Sequence, residues 1–273
     1  MLQYEREFEL NRRNWNERTA IHLKSPFYDV AGFKAGRNTL MPIELAELGN
    51  IVGTPILHLQ CHFGLDTLSL QQMGAHATGV DFSDAAIEAA RALAEETGLN
   101  ARFIHSNVYD LPKVHNARYP LVFTSYGVLC WLPDLTLWAQ VIAHFLTPGG
   151  TFYMVDGHPF GGMFDDSRQD GELVARYPYF HDPAGSFEPG GFPSYTKDAE
   201  IVHSGDHEWS HSIGDVLNSL IGAGLRIEFL HEFNVSAYQR LPQMVKGDDG
   251  WWRLPEGRLQ IPCLYSVKAT KPR

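Results

Sequence analysis

The run Ile56 to Asp66, ILHLQCHFGLD, carries an amide at Gln60, a thiol at Cys61, an imidazole at His62 and a carboxylate at Asp66. A short apolar strand leads into a tight loop and then a helix, the layout of a nucleotide-binding turn. In such turns glycines let a pyrophosphate approach the loop backbone and the helix N-terminus. Gln60 and His62 stand at two of those glycine positions, and only Gly64 is kept. Gln60 and His62 would crowd a pyrophosphate, and Asp66 would repel it.

Asp81 ends the next apolar stretch, HATGVDF, where a carboxylate can accept both hydroxyls of a ribose. A phosphate-averse loop beside a ribose-binding carboxylate calls for adenosine joined to an amino-acid tail, whose ammonium would meet a carboxylate or a loop carbonyl. S-adenosylmethionine meets these requirements better than a nicotinamide dinucleotide. Asp66 suits either helix capping or the ammonium. Cys61 reads as a small loop residue, because nothing nearby marks a reactive thiolate. His58, Cys61 and His62, or His203, His207 and His211, are candidate metal ligands. Neither set has a recognised zinc spacing, and Gly205 weakens any helix aligning the second, so no metal is expected.

The elements that position these groups follow from local pattern. PILHLQ, HATGVDF, ARFIHSNV, LVFTSYGVL and TFYMVDG read as five strands, alternating with the helical stretches LDTLSLQQM, DAAIEAARALAEET and DLTLWAQVIAHFL. Ser83 is placed to cap the second helix, and Gly74 and Gly98 to stop the first and second. Strands alternating with helices imply crossovers and a mostly parallel sheet. From Gly157 to about 208 the pattern breaks into Gly, Pro, Tyr, Phe and His residues, too long for a passive connector and better read as a functional insertion. SIGDVLNSLIGAG then shows a helical face of Ile213, Val216, Leu217, Leu220 and Ile221, and RIEFLHEF and CLYSVKAT close the sheet. Residues 1–50 form a helical cap segment before a domain spanning 51–273.

Bulk properties exclude several partner classes. The 273 residues are 44% hydrophobic and 20% charged, with a formal charge of −10 and no basic run, which argues against nucleic acid. No apolar stretch reaches membrane-spanning length, and MLQYEREFEL is too charged for a signal peptide. Three scattered cysteines do not make a disulfide framework, so a reducing cytoplasm is expected. Nothing sets the oligomeric state.

In order along the chain, HLQCHFG, GVDFS, SNVYDLP, YPLVFTSYGVLCWLPDL and LTPGGTFYMV resemble the motifs of the Rossmann-like, class I S-adenosylmethionine-dependent methyltransferases. The resemblance covers roughly residues 50 to 157 and, more weakly, the C-terminal helix and strands. It implies an α/β, Rossmann-like three-layer sandwich with a mostly parallel seven-stranded sheet and an antiparallel closing strand. It places Asp81 on the ribose, Phe82 against adenine, Asn107 facing the adenine amino group and the Val108 backbone N–H on the ring. Gln60, Cys61, His62, Gly64, Asp66 and Ser125 fall along the cofactor, with Tyr28 closing over it. His58 replaces an acidic residue, Gln60 and His62 replace glycines, and Asn107 replaces an aspartate, so Gln60 and His62 could take over contacts to the methionine tail.

The acceptor is expected to be a small molecule, since Ser125-Tyr126-Gly127 lacks the signatures of DNA amino- and cytosine-methylating enzymes. Tyr126 and His158 follow the fourth and fifth strands on the ligand edge and are the candidate catalytic residues. An imidazole with a reference pKa near 6.5 can take a proton at neutral pH. The alternative for His158 is a backbone contact at the start of the insertion. A nicotinamide-dependent oxidoreductase, or a non-catalytic protein retaining the fold, stand as rival functions.

Overall fold

The computed structural model describes residues 4–196 and 200–273. Helices α1 (Glu5–His22), α2 (Val30–Lys34) and α3 (Pro42–Leu48) precede β1 (Pro55–Leu59), α4 (Leu65–Gln72), β2 (His76–Asp81), α5 (Asp84–Thr97) and β3 (Arg102–His105). Then come α6 (Leu111–Val114), β4 (Tyr119–Ser125), α7 (Leu135–Phe145) and β5 (Leu146–Gly157). The insertion holds α8 (Pro159–Gly162) and short strands β6 (Ser186–Glu188), β7 (Phe192–Pro193), β8 (Ile201–Val202) and β9 (Asp206–Glu208), pairing β6 with β9 and β7 with β8. Next follow α9 (Ile213–Gly222), β10 (Arg226–Phe233), the paired β11 (Val245–Lys246) and β12 (Trp252–Arg253), and β13 (Leu264–Thr270).

Seven strands form one sheet in the order β10-β13-β5-β4-β1-β2-β3, in which β1 to β5 pair in parallel and β13 runs antiparallel to both neighbours. The period-2 alternation of a strand splits its apolar residues between two faces. Leu57, Val122, Phe152 and Met154 pack one way against Trp138 and Ile142 of α7 and Val216 and Leu220 of α9. Ile56, Phe123, Tyr153 and Val155 pack the other way with Leu70 of α4. Helix, sheet, helix: the three-layer sandwich holds.

The local signals act as their chemistry requires. Ser83 Oγ accepts from Ala86 N at 3.0 Å and caps α5, and Gly98 ends it at φ 66°. One apolar expectation fails: Ile221 is 55% exposed. It follows Leu220 by about 100° around α9, which carries it off the buried face. Helix α1 is unusual in burying Asn11, Asn14 and His22, polar residues that dock it on the insertion.

Candidate functional site

The loop after β1 keeps a glycine-like path without the glycines. Gln60 and His62 adopt φ 55° and 51°, in the left-handed region where a side chain is strained by roughly 1–3 kcal/mol. Gly64, at φ 82°, cannot be replaced so easily, because a Cβ there would lie 2.6 Å from the Phe103 ring. The path is held by Asp81, whose two oxygens accept from His62 N at 2.8 Å and Ser83 N at 2.9 Å. Burial pushes the Asp81 carboxyl up to about 6, opposed by these backbone donors.

Gln60, Asp81, Phe82, Asn107, Val108 and Trp131 line one cleft at the carboxyl ends of β1, β2 and β3. Asn107 Oδ1 accepts from Tyr109 N at 3.0 Å, capping a 3-10 turn and leaving its NH2 as the available end. Cys61 turns away from the cleft: its sulfur packs beside Gly79 in the apolar cluster with Phe63 and Phe103, and burial holds the thiol neutral.

Deeper under the loop, Asp66 accepts from Thr39 Oγ1 at 2.7 Å and from Ser125 Oγ at 3.1 Å, and burial raises its pKa. It makes no capping bond to α4. His58 lies 2.8 Å from Thr67 Oγ1, and burial lowers it to about 3, so a neutral ring stands where an acid was replaced.

A second layer closes over the loop from distant segments. His22 Nδ1 of α1 lies 2.9 Å from His62 Nε2, and His22 Nε2 lies 2.6 Å from Ser194 Oγ of the insertion. The Tyr28 and Tyr195 hydroxyls are hydrogen-bonded, and Trp15 packs edge-on to both His62 and Trp131. Arg18 pairs with Asp206 of β9 at 2.9 Å. Gln60 Oε1, His62 Nδ1 and Trp15 Nε1 are buried without a partner among the described residues. Buried polar atoms are almost always satisfied, and of the six left without a partner among the described residues three gather at this loop, the others being Trp138 Nε1, His144 Nε2 and Ser266 Oγ.

The two candidate catalytic residues are both engaged elsewhere. Tyr126, at φ 27°, donates its hydroxyl to Glu44 Oε2 at 2.8 Å, beneath the strand ends. His158 accepts from Phe160 N at its Nδ1, 3.0 Å, and its Nε2 meets Glu232 at 2.8 Å. Both ring nitrogens are thus occupied, one in capping α8. Asp156, which sequence reasoning did not single out, ends β5 and accepts from the backbone N–H groups of Gly127 and Gly157. Among the described residues no group of three His, Cys, Asp or Glu side chains is arranged to hold a metal ion. His22, Tyr195, Arg18 and Glu208 also escaped notice, because they come from separate segments and share no spacing.

Residues 56–150 match the family model of a methyltransferase domain. The ubiquinone biosynthesis O-methyltransferase of Shewanella pealeana is 27% identical over 132 residues, 47% of this chain and 56% of that one. The chain thus spans about half the length of the curated relatives it matches. An S-adenosylmethionine-dependent methyltransferase from Mesorhizobium loti superposes with a TM-score of 0.58 at 19% identity, covering 87% of this chain and 100% of that one. The geranyl diphosphate C-methyltransferase of Streptomyces coelicolor gives 0.51 at 14% identity, over 84% and 76%. With the sheet order described above, these likenesses give the chain the fold of the Rossmann-like, class I S-adenosylmethionine-dependent methyltransferases and a methyltransferase domain matched over residues 56–150.

Proposed function

We propose that this chain is an S-adenosylmethionine-dependent methyltransferase acting on a small-molecule acceptor. The observation that carries the reading is the set of orphaned atoms, Gln60 Oε1, His62 Nδ1 and Trp15 Nε1, around a loop whose backbone is fixed by Asp81. They fit the cofactor: Asp81 for the ribose hydroxyls, Phe82, Asn107 and Val108 for adenine, and Gln60, His62, Asp66 and Ser125 for the methionine tail. Asp66 has hydroxyl donors and no ion pair among the described residues, so an ammonium suits it. The Asn107 NH2 suits a ring nitrogen of adenine better than its amino group, because its oxygen is spent on the turn.

Bound S-adenosylmethionine supplies a methyl group on a positively charged sulfur. The chain's part is to orient the acceptor and exclude water. Residues 1–50 and the insertion at about 157–208 act as the cap and roof that do so, with Trp15, Tyr28 and Tyr195 meeting over the loop. The charge of −10 favours a small acceptor over nucleic acid. No described helix is long and apolar enough to cross a membrane. The three cysteines are free, which suits a reducing cytoplasm.

Titration calorimetry tests the cofactor. S-adenosylhomocysteine should bind and NAD should not; tighter binding of NAD would overturn the assignment in favour of an oxidoreductase. A broad acceptor panel with labelled S-adenosylmethionine tests the activity. Cofactor binding with no transfer to any acceptor would favour a non-catalytic role.

A further inference from the structure

The interior carboxylates near the site differ in one respect. Glu44, Asp66, Asp81, Asp156 and Asp206 each accept from donors already described. Glu208, partly buried on β9, has no hydrogen-bond donor and no ion-pair partner among the described residues. Its carboxylate is not sealed in the core but keeps some access to solvent beside the turn after β4, and unpaired carboxylates in such half-enclosed places gather where chemistry needs them.

Its position is set from both sides. Asp206 and Glu208 share one face of β9 by the strand's period of two, and Asp206 on that face meets Arg18 of α1. Trp209 N donates to Cys130 O at 2.8 Å, pinning the end of β9 to the turn after β4. Gln60 Nε2 donates to Val128 O of the same turn at 2.9 Å. One turn of chain therefore separates Glu208 from the loop with the orphaned atoms. Aromatic rings pair close by: Trp15 with Trp131 beside Cys130, and Tyr195 with Tyr238, whose hydroxyl lies within electrostatic reach of Glu208.

We propose that Glu208 takes the proton from an aromatic hydroxyl acceptor seated between β9 and the turn after β4, an inference that rests on the methyl-transfer reading. The acceptor oxygen forms its bond to the methyl carbon, the carbon–sulfur bond pair stays on sulfur, and the O–H proton passes to the Glu208 carboxylate. The charges facing Glu208 come from every neighbouring element: Asp206 beside it, Glu188 on β6, Arg18 on α1 and Arg240 after β10. Burial first, then Asp206, push its carboxyl up to about 7, against the pull of Arg18 and Arg240. A phenol, ionising near 10, is within reach of such a base, whereas an aliphatic alcohol is not. The other titratable groups serve less well. Burial drives the His62 ring far below neutral and holds the Cys130 and Tyr238 protons in place.

The test compares wild type with Glu208→Gln, using catechol and 4-nitrophenol as acceptors and labelled S-adenosylmethionine as donor. Wild type should methylate a phenol, with a rate that falls as pH drops through about 7. The variant should lose about a hundredfold or more in turnover, lack that acidic limb, and bind S-adenosylhomocysteine as wild type does. A thermal readout needs no acceptor. The raised folded-state pKa means the carboxylate destabilises the fold as pH rises from about 4.5 to 7, so the variant should melt higher than wild type at about pH 8 and alike near pH 4. Undiminished turnover, a lower melting point at pH 8, or S-adenosylhomocysteine binding with no phenol methylated would each overturn the proposal. Loss of S-adenosylhomocysteine binding in wild type would instead strike the methyltransferase reading beneath it.

Discussion

The loop side and the roof side of this site are built from different kinds of contact. On the loop side, Asp81 and Asp156 are held by backbone N–H groups whose places are set once the sheet forms. On the roof side, side chains of α1 reach the insertion across most of the chain. Asn11 exchanges two bonds with the His207 backbone, 2.8 and 2.7 Å, and satisfies the edge of β9 that β6 leaves open. Asn14 donates to Ser204 O at 2.7 Å, and His22 links His62 to Ser194. A floor fixed by the fold thus lies under a roof held by latches.

The strongest way to break the comparison is at Gly64. Gly64→Ala adds a Cβ against the Phe103 ring and forces a left-handed alanine, so it should cost on the order of 3 kcal/mol of stability. A melting temperature within a degree of wild type would show that the loop is not the rigid half. Next in size, Asp81→Ala should weaken S-adenosylhomocysteine binding by roughly 1.5–3 kcal/mol through lost charged hydrogen bonds. The pH dependence sharpens it. With the folded carboxyl near 6, ionised Asp81 is lost as pH falls through that value, so affinity should drop there, and Asp81→Asn should remove the drop. Calorimetry giving flat wild-type affinity from about pH 7 to 5 would take Asp81 away from the ribose.

The smallest effect is expected on the roof. Asn11→Ala leaves the His207 N–H and C=O unpartnered and should cost roughly 1–2 kcal/mol. Its signature is local: protease should cut first between residues 157 and 208, while S-adenosylhomocysteine affinity stays unchanged. Uniform loss of protection across the sheet would mean that roof and floor unfold as one unit.

Periodicity and caps are local facts, which is why so much could be read in advance. The alternation in β1 to β5, the Ser83 cap, the Gly98 stop and the placing of Asp81 at a strand end each depend on a few neighbouring residues. Side-chain direction within an irregular loop is not local. Cys61 sits between two residues that face the site yet turns inward, because Gly79 opens space beneath it. His158 lies on the expected edge, but Glu232 of β10 and the start of α8 claim both its nitrogens.

By itself, then, the sequence determined the sheet, its crossover helices and the position of the ligand edge, because burying a strand or helix face needs only the right residue types at a period of two or 3.6. Tertiary structure alone decided which far-apart groups meet over that edge. Asn11 and His207 stand 196 residues apart and His22 and Ser194 stand 172 apart, so no spacing in the chain could announce them. Glu208 shows the same limit most plainly: nothing in its own stretch tells that the fold will set it near Arg18, Tyr238 and Arg240 yet give its carboxylate no donor among the described residues.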